Sequence, residues 1–306
     1  MIIGRRRWVA LATVMMLANG ALACTSDPGY KGRSSTEWIG DLESGNASQR
    51  IDAAFALGNV LKMQPKSRTV TRALIGALRD TADDVRVAAA TGLRSAGSQA
   101  TEAIPLLADL LADSAHAEVR VRAVSVLGDL GRNAPAEATE LLRKGLRDPA
   151  PEVRASAAQA IRGLGQGARA ALPDLTVSAR DPIAAVKLAS IDALASVGVG
   201  VGIVTQALVA ALSDTASSVR RAAALGLIRV TTASPQVTSA LITTAHDQST
   251  AVRVAAVYAL GMIADPAANA TLRGALADRD STVRQEAAHA LAAFHQRGGR
   301  DPVEEP

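Results

Sequence analysis

At 306 residues, with 33 basic against 29 acidic side chains and only 2% aromatics, the chain exceeds the size of one ordinary hydrophobic core, yet no composition break divides it. Either several cores or one elongated stack must bury its many Ala, Leu and Val residues. Near-balanced charge and few rings for base stacking exclude the electrostatic footprint of a nucleic-acid binder.

The first predicted element spans residues 1–23. Arg5, Arg6 and Arg7 make a basic start, Trp8 to Ala18 an apolar run, and Ala21-Leu22-Ala23 a small-residue exit, which is the layout of a signal peptide. The run is too short for a permanent membrane span, and no later segment reaches about 18 uninterrupted apolar residues. Arg5-Arg6, followed by Arg7-Trp8-Val9, faintly resembles a twin-arginine export signal, but Gly4 stands where Ser or Thr is usual, so both export routes stay open. Removing residues 1–23 takes away three arginines and no acid, leaving 30 basic and 29 acidic side chains, a net of +1.

Cys24, the only cysteine, follows Gly20-Ala21-Leu22-Ala23. This stretch resembles a bacterial lipoprotein box, with Ala21 at the position usually held by Leu. A lone cysteine in an exported chain has no disulfide partner. The resemblance implies a lipid on Cys24 and attachment to a membrane surface; simple cleavage after Ala23 is the alternative. The expected location is the bacterial cell envelope, either periplasmic or held by that lipid. Residues 24–35 are polar and contain Gly and Pro, and they read as a flexible tether.

From residue 36 to 296 the chain repeats. Val-Arg recurs at Val85-Arg86, Val119-Arg120, Val153-Arg154, Val219-Arg220, Val252-Arg253 and Val283-Arg284, with Val186-Lys187 filling the gap, at intervals of 34, 34, 33, 33, 33 and 31 residues. A weaker eighth copy begins at Gln49-Arg50. An aspartate precedes each Val by five residues at Asp80, Asp148, Asp181, Asp214, Asp247 and Asp278, and by six at Asp113. Small residues follow four positions after the Val and aliphatic ones eight after it, which marks one face of a helix. A second apolar segment with helical spacing lies before each aspartate, so each copy is expected to be two antiparallel helices joined by an Asp-containing turn. Pro105, Pro151 and Pro173 suit first turns, Ser249 and Asp280 suit N-caps, and Gly97, Gly131, Gly165 and Gly198 close helices at repeat ends.

These residues resemble the HEAT-like repeat, in the variety first recognised in phycobilisome bilin lyases, with its Asp turn, Val-Arg pair, Ala and Leu-Gly ending. The resemblance implies an all-α, right-handed solenoid of about eight repeats whose second helices line a concave face. Stability then comes from neighbour-to-neighbour stacking. Trp38 is expected to cap the open apolar end of the first repeat, and residues 297–306 read as a disordered tail.

Regular recurrence assigns the Asp and Arg/Lys columns a structural task. Each turn Asp is expected to accept loop N–H groups and to pair with the cation of its own or an adjacent helix. The positions that vary on one face of the second helices are the candidates for binding: Phe55, Arg122, Gln159, Asp192, Leu225, Arg229, Tyr258, Met262 and His289. Most are polar, but Leu225, Tyr258 and Met262, with Arg229 beside them, form an apolar stretch on neighbouring helices. This is the expected contact for a protein or peptide partner, and scattered surface apolars are the alternative. The pattern implies no cofactor. The competing enzymatic reading rests on Glu286 and His289, one turn apart on one helix. The chain lacks the paired His-Glu dipeptides of the iron-dependent HEAT-like hydroxylases, and one carboxylate–imidazole pair is half a metal site.

Overall fold

The computed structural model describes residues 29–113, 115–230 and 234–297. The expected signal peptide, Cys24 and residues 298–306 of the expected tail lie outside them. The described residues form sixteen α-helices in eight antiparallel pairs: α1 (Ser35–Ser44) with α2 (Ala47–Met63), α3 (Arg68–Ala77) with α4 (Asp83–Leu93), α5 (Ile104–Asp113) with α6 (Ala117–Leu130), and α7 (Pro135–Gly145) with α8 (Pro151–Leu164). The stack continues with α9 (Leu172–Ser178) and α10 (Ala184–Val197), α11 (Gly202–Ala211) and α12 (Ser217–Val230), α13 (Pro235–Thr244) and α14 (Thr250–Ile263), and α15 (Asn269–Ala275) and α16 (Ser281–Gln296). Short 3-10 turns at Gly97–Ala103 and Gly165–Ala171 lead into α5 and α9.

Each even helix packs against the even helices before and after it, while successive odd helices meet more sparsely. That asymmetry bends the stack, placing the even helices on its inner side and making this an all-α solenoid. One hydrophobic cluster runs between the layers from Leu42 to Phe294. It is built from the Val column (Val85, Val153, Val219, Val283), the small residues four positions on (Ala89, Ala157, Ala223, Ala287), and the aliphatic residues eight on, such as Leu93, Ile161 and Leu227. No described helix is long and apolar enough to cross a membrane.

The turn aspartates explain why several even helices begin without good capping residues. The Oδ1 atoms of Asp80, Asp148, Asp181, Asp214, Asp247 and Asp278 accept the N–H of the residue two positions on, at 2.8–2.9 Å. These acceptors fix the turn before the helix starts, so Ala82, Ala150 and Ile183 can occupy N-cap positions that would otherwise favour Ser or Asp. Ser249 stands at an N-cap but makes no side-chain cap bond, whereas Asp280 accepts from the Thr282 N–H at 2.8 Å. Of the repeat-end glycines, Gly97 and Gly165 adopt φ values of 57° and 56°, a left-handed backbone that L side chains rarely take. Gly198 has an ordinary φ, and there the requirement is space: a Cβ would lie 2.4 Å from Val204 Cγ2.

Part of the expected tether is folded. Gly29–Tyr30 and Arg33–Ser34 pair as an antiparallel hairpin, turned by Lys31 and Gly32 at positive φ, so the flexible reading of residues 24–35 is corrected over 29–34. Three contacts hold the hairpin: Trp38 Nε1 donates to the Tyr30 carbonyl at 3.1 Å, the Arg33 guanidinium stacks 4.0 Å from the centre of the Trp38 ring, and Arg33 pairs with Asp41 at 2.7 Å. Ser34 and Glu37 then form a capping box on α1.

Ser190 is the one described member of the small-residue column that carries a hydroxyl. It is fully buried, and its Oγ has no hydrogen-bond partner. Ser190→Ala removes that penalty and improves helix propensity, so it is expected to stabilise the protein by about 1 kcal/mol. A urea titration checks this: the midpoint should rise at constant slope. A lower midpoint would mean that the hydroxyl is satisfied in solution.

Candidate functional site

The recurring charges form one connected structure. Arg50 grips the Asp80 carboxylate at 2.7 and 2.9 Å, and Arg120–Asp148, Arg154–Asp181, Arg220–Asp247 and Arg253–Asp278 repeat the two-pronged pairing at 2.7–3.0 Å. In each case the cation of one repeat meets the aspartate of the next. Arg154, Arg220 and Arg253 also donate from Nη1 to the carbonyl of their own turn aspartate, at 2.9–3.0 Å. One side chain thereby joins two repeats.

The ladder has three irregular rungs. Lys187 reaches Asp214 through a single contact at 2.5 Å, as a point charge must. Arg86 pairs within its own helix with Asp83 and reaches the Asp80 carbonyl at 3.3 Å, while the Asp113 side chain lies outside the described residues. Arg284, at the end of the series, donates to the Asp278 carbonyl at 2.8 Å.

These contacts hold the aspartates ionised. The Arg50, Arg220 and Arg253 guanidinium groups lower the pKa values of Asp80, Asp247 and Asp278. At Asp148, Asp181 and Asp214 burial is the largest single influence and pushes upward, but the partner cation and the turn N–H together outweigh it, and the net direction is down. Groups so placed are committed to pairing and are poor proton donors or acceptors for chemistry.

The variable face is separate from the ladder. Phe55, Arg122, Gln159, Asp192, Arg229, Tyr258 and His289 are exposed, and Leu225 and Met262 are half-buried. They lie on the even helices, three, six or ten residues after the Val-column position of each repeat. Leu225 packs partly against the core, while Tyr258 is 40% exposed. The position three residues after the Val belongs to this face only in some repeats: Asp52 and Arg122 are exposed, but Ala88, Ala189 and Ala255 are buried.

Glu286 is half-buried and His289 exposed on α16. Among the described residues no group of three or more His, Cys, Asp or Glu side chains is placed to hold a metal ion.

Sequence periodicity missed the interactions that do not recur. Asp174, 8% exposed, binds Arg143 at 2.6 Å and Arg147 at 2.5 Å, tying α7 to α9 in the outer layer. Arg94 and Asp129 pair at 2.5 Å between the ends of α4 and α6. Arg147 stands where Arg79 and Arg180 also precede a turn aspartate, but Asp174 and Asp129 recur in no column, so internal comparison of the sequence does not reveal these pairs.

A family model of HEAT repeats matches residues 37–128, 104–195, 139–228 and 205–292, which together cover most of the chain. The chain belongs to the HEAT-repeat family. YibA of E. coli, a solved structure, superposes with a TM-score of 0.59 at 18% identity, covering 97% of this chain and 99% of that one. Importin beta gives 0.63 at 16% identity over 87% of this chain and 41% of its own, and Kap95p gives 0.63 at 12% over 85% and 39%. At such identities the likeness establishes the solenoid fold alone. No curated protein sequence matches the chain.

Proposed function

We propose that this HEAT-repeat chain is a non-enzymatic scaffold of the bacterial cell envelope, exported by its N-terminal segment and holding a protein or extended peptide along the inner, even-helix face. One observation carries the reading. Most of the charged columns that recur through the stack are engaged in repeat-to-repeat pairing, whereas side chains of the even helices that differ between repeats stay accessible, with Phe55 and Tyr258 among the few large apolar side chains left exposed. A surface built constant underneath and variable on top suits recognition. The architecture is also that of Kap95p, a protein whose binding induces the switch loops of RanGDP to adopt the GTP-bound conformation.

The test uses residues 25–306 as bait in an envelope extract. Leu225 contributes to packing, so the cleaner variant is Tyr258→Ser combined with Met262→Ser. Wild type is expected to retain a defined partner and the variant to lose at least about tenfold of it, the usual consequence of deleting anchor side chains, with unchanged helicity by circular dichroism. Equal retention by both forms would remove these residues from the contact. Tight, stoichiometric iron or zinc in the purified protein would instead favour the enzymatic reading of Glu286 and His289.

A further inference from the structure

The amino-terminal end of the inner face differs in character from the Tyr258 end. A depression of about 390 Å³ lies over α2, α4 and α6, and its charged lining consists of Lys62, Arg94, Arg132 and Asp129. Its floor is backbone. A Cβ on Gly58 would come within 2.7 Å of the Gly92 Cα, so α2 and α4 meet without side chains between them and a recess remains above the contact. Phe55, 50% exposed, forms one wall.

The balance of charge there is uneven. Asp129 is engaged by Arg94 at 2.5 Å, with Arg132 at 3.7 Å. Lys62 donates to the Asn59 side-chain carbonyl at 3.1 Å, and no carboxylate of the described residues pairs with it. Three cations thus line the recess against one carboxylate, which Arg94 and Arg132 approach, a local surplus of two positive charges. Lys62, Arg94 and Arg132 come from the ends of three successive even helices, where the helix dipole favours a cation by a fraction of a kcal/mol. That preference explains each residue singly. It does not explain their convergence, with Asn59, on a recess beside an exposed phenyl ring.

We infer that this recess binds an acidic segment of the partner, with carboxylates held by Lys62 and Arg132 and an adjacent apolar side chain resting on Phe55. The inference rests on the scaffold reading and specifies the partner's chemistry. Two helix-to-helix steps of about 10 Å span roughly 20 Å, enough for about six residues of extended chain. Because charge complementarity carries the contact, binding should weaken as salt rises.

The probes are a fluorescent peptide of about six residues alternating Glu with Leu, its Lys–Leu counterpart, and a single-stranded oligonucleotide. The Glu–Leu peptide is expected to bind at least about tenfold more tightly than the other two. Combining Lys62→Glu with Arg132→Glu should weaken it by about tenfold or more, Phe55→Ala should weaken it at any salt concentration, and Lys144→Glu, an exposed change on the outer helix α7, should have no effect. Thermal melts verify that each variant is folded. Equal binding of the acidic and basic peptides, undiminished binding by the double charge reversal, or a preference for the oligonucleotide would each overturn the inference. A partner captured from the extract through Tyr258 and Met262 but indifferent to Lys62 and Arg132 would leave the scaffold reading intact and remove this one. Absence of both captured partner and peptide binding would remove both.

Discussion

Replacing Asp278 with Ala is expected to destabilise the carboxyl-terminal end of the solenoid by about 3–5 kcal/mol, the range for removing one partner of a buried ion pair. The Arg253 side chain is only 4% exposed, and all five of its N–H groups have acceptors: the two Asp278 oxygens, the Asp247 and Gln248 carbonyls, and the Thr250 hydroxyl. Without the carboxylate, a guanidinium with little access to water keeps its charge and loses its counterion. Each repeat is stabilised mainly by its neighbours, so the damage should appear first as local opening of α15 and α16 rather than as global unfolding. Hydrogen exchange resolved by segment is the measurement. Protection in these two helices should collapse while that of α6 to α10 changes little. Replacing both partners by apolar residues, Arg253→Met with Asp278→Leu, should recover most of the loss, because the uncompensated charge goes with its partner. If Asp278→Ala alone leaves protection unchanged, the rung does not hold the last repeat.

Acid should unfold the solenoid through the same rungs. Asp80, Asp148, Asp181, Asp214, Asp247 and Asp278 all have folded-state pKa values below the ordinary carboxylate value, which for an unfolded chain is about 3.9. A depressed folded pKa means that the unfolded chain binds more protons in this range, so stability increases with pH there. The contribution is therefore complete above about pH 5, falls as pH drops through 3.9, and is gone below the folded values. Six carboxylates in successive repeats share this window. The melting temperature should be nearly flat from neutral pH to about 5 and then fall steeply, with proton uptake on unfolding near pH 3.5. A melting temperature insensitive to pH between about 5 and 2.5 would show that the carboxylates gain nothing from their partners. Lys187→Met separates the rungs from general charge effects: it removes one partner and should raise the pH at which unfolding sets in.

The Asp and Val-Arg columns were legible because the stack reuses one solution in every repeat, and a fixed interval of about 33 residues needs no knowledge of contacts to be seen. Even so, the sequence left open whether each Asp pairs with the cation of its own repeat or of an adjacent one. The structure separates the two roles: the carboxylate takes the cation of the preceding repeat, and the carbonyl of the same aspartate takes its own. Spacing within one repeat cannot encode that distinction, since it depends on how far one helix pair is offset from the next.

The hairpin at residues 29–34 reads as tether in the sequence because Gly and polar residues carry no periodic signal. It folds because Trp38 supplies a ring and an N–H to dock against, and this contact exists only once α1 has formed. The recess at the amino-terminal end is of the same kind. Lys62 and Arg132 each stand 13 residues after the Val-column position of their repeat, Gln49 and Val119, but Arg94 stands nine after Val85, and the close approach of Gly58 to Gly92 is what brings the helix ends around one depression.

By itself, then, the sequence determined the helical pairs, their number and the residues that repeat between them, because periodic burial and turn chemistry are local properties written into each copy. Only the tertiary structure decided which cation crosses to which aspartate, which variable residues stay exposed, and where three cations outnumber one carboxylate. Those depend on helix offsets and backbone approach, which are set by packing between repeats that the chain order alone does not specify.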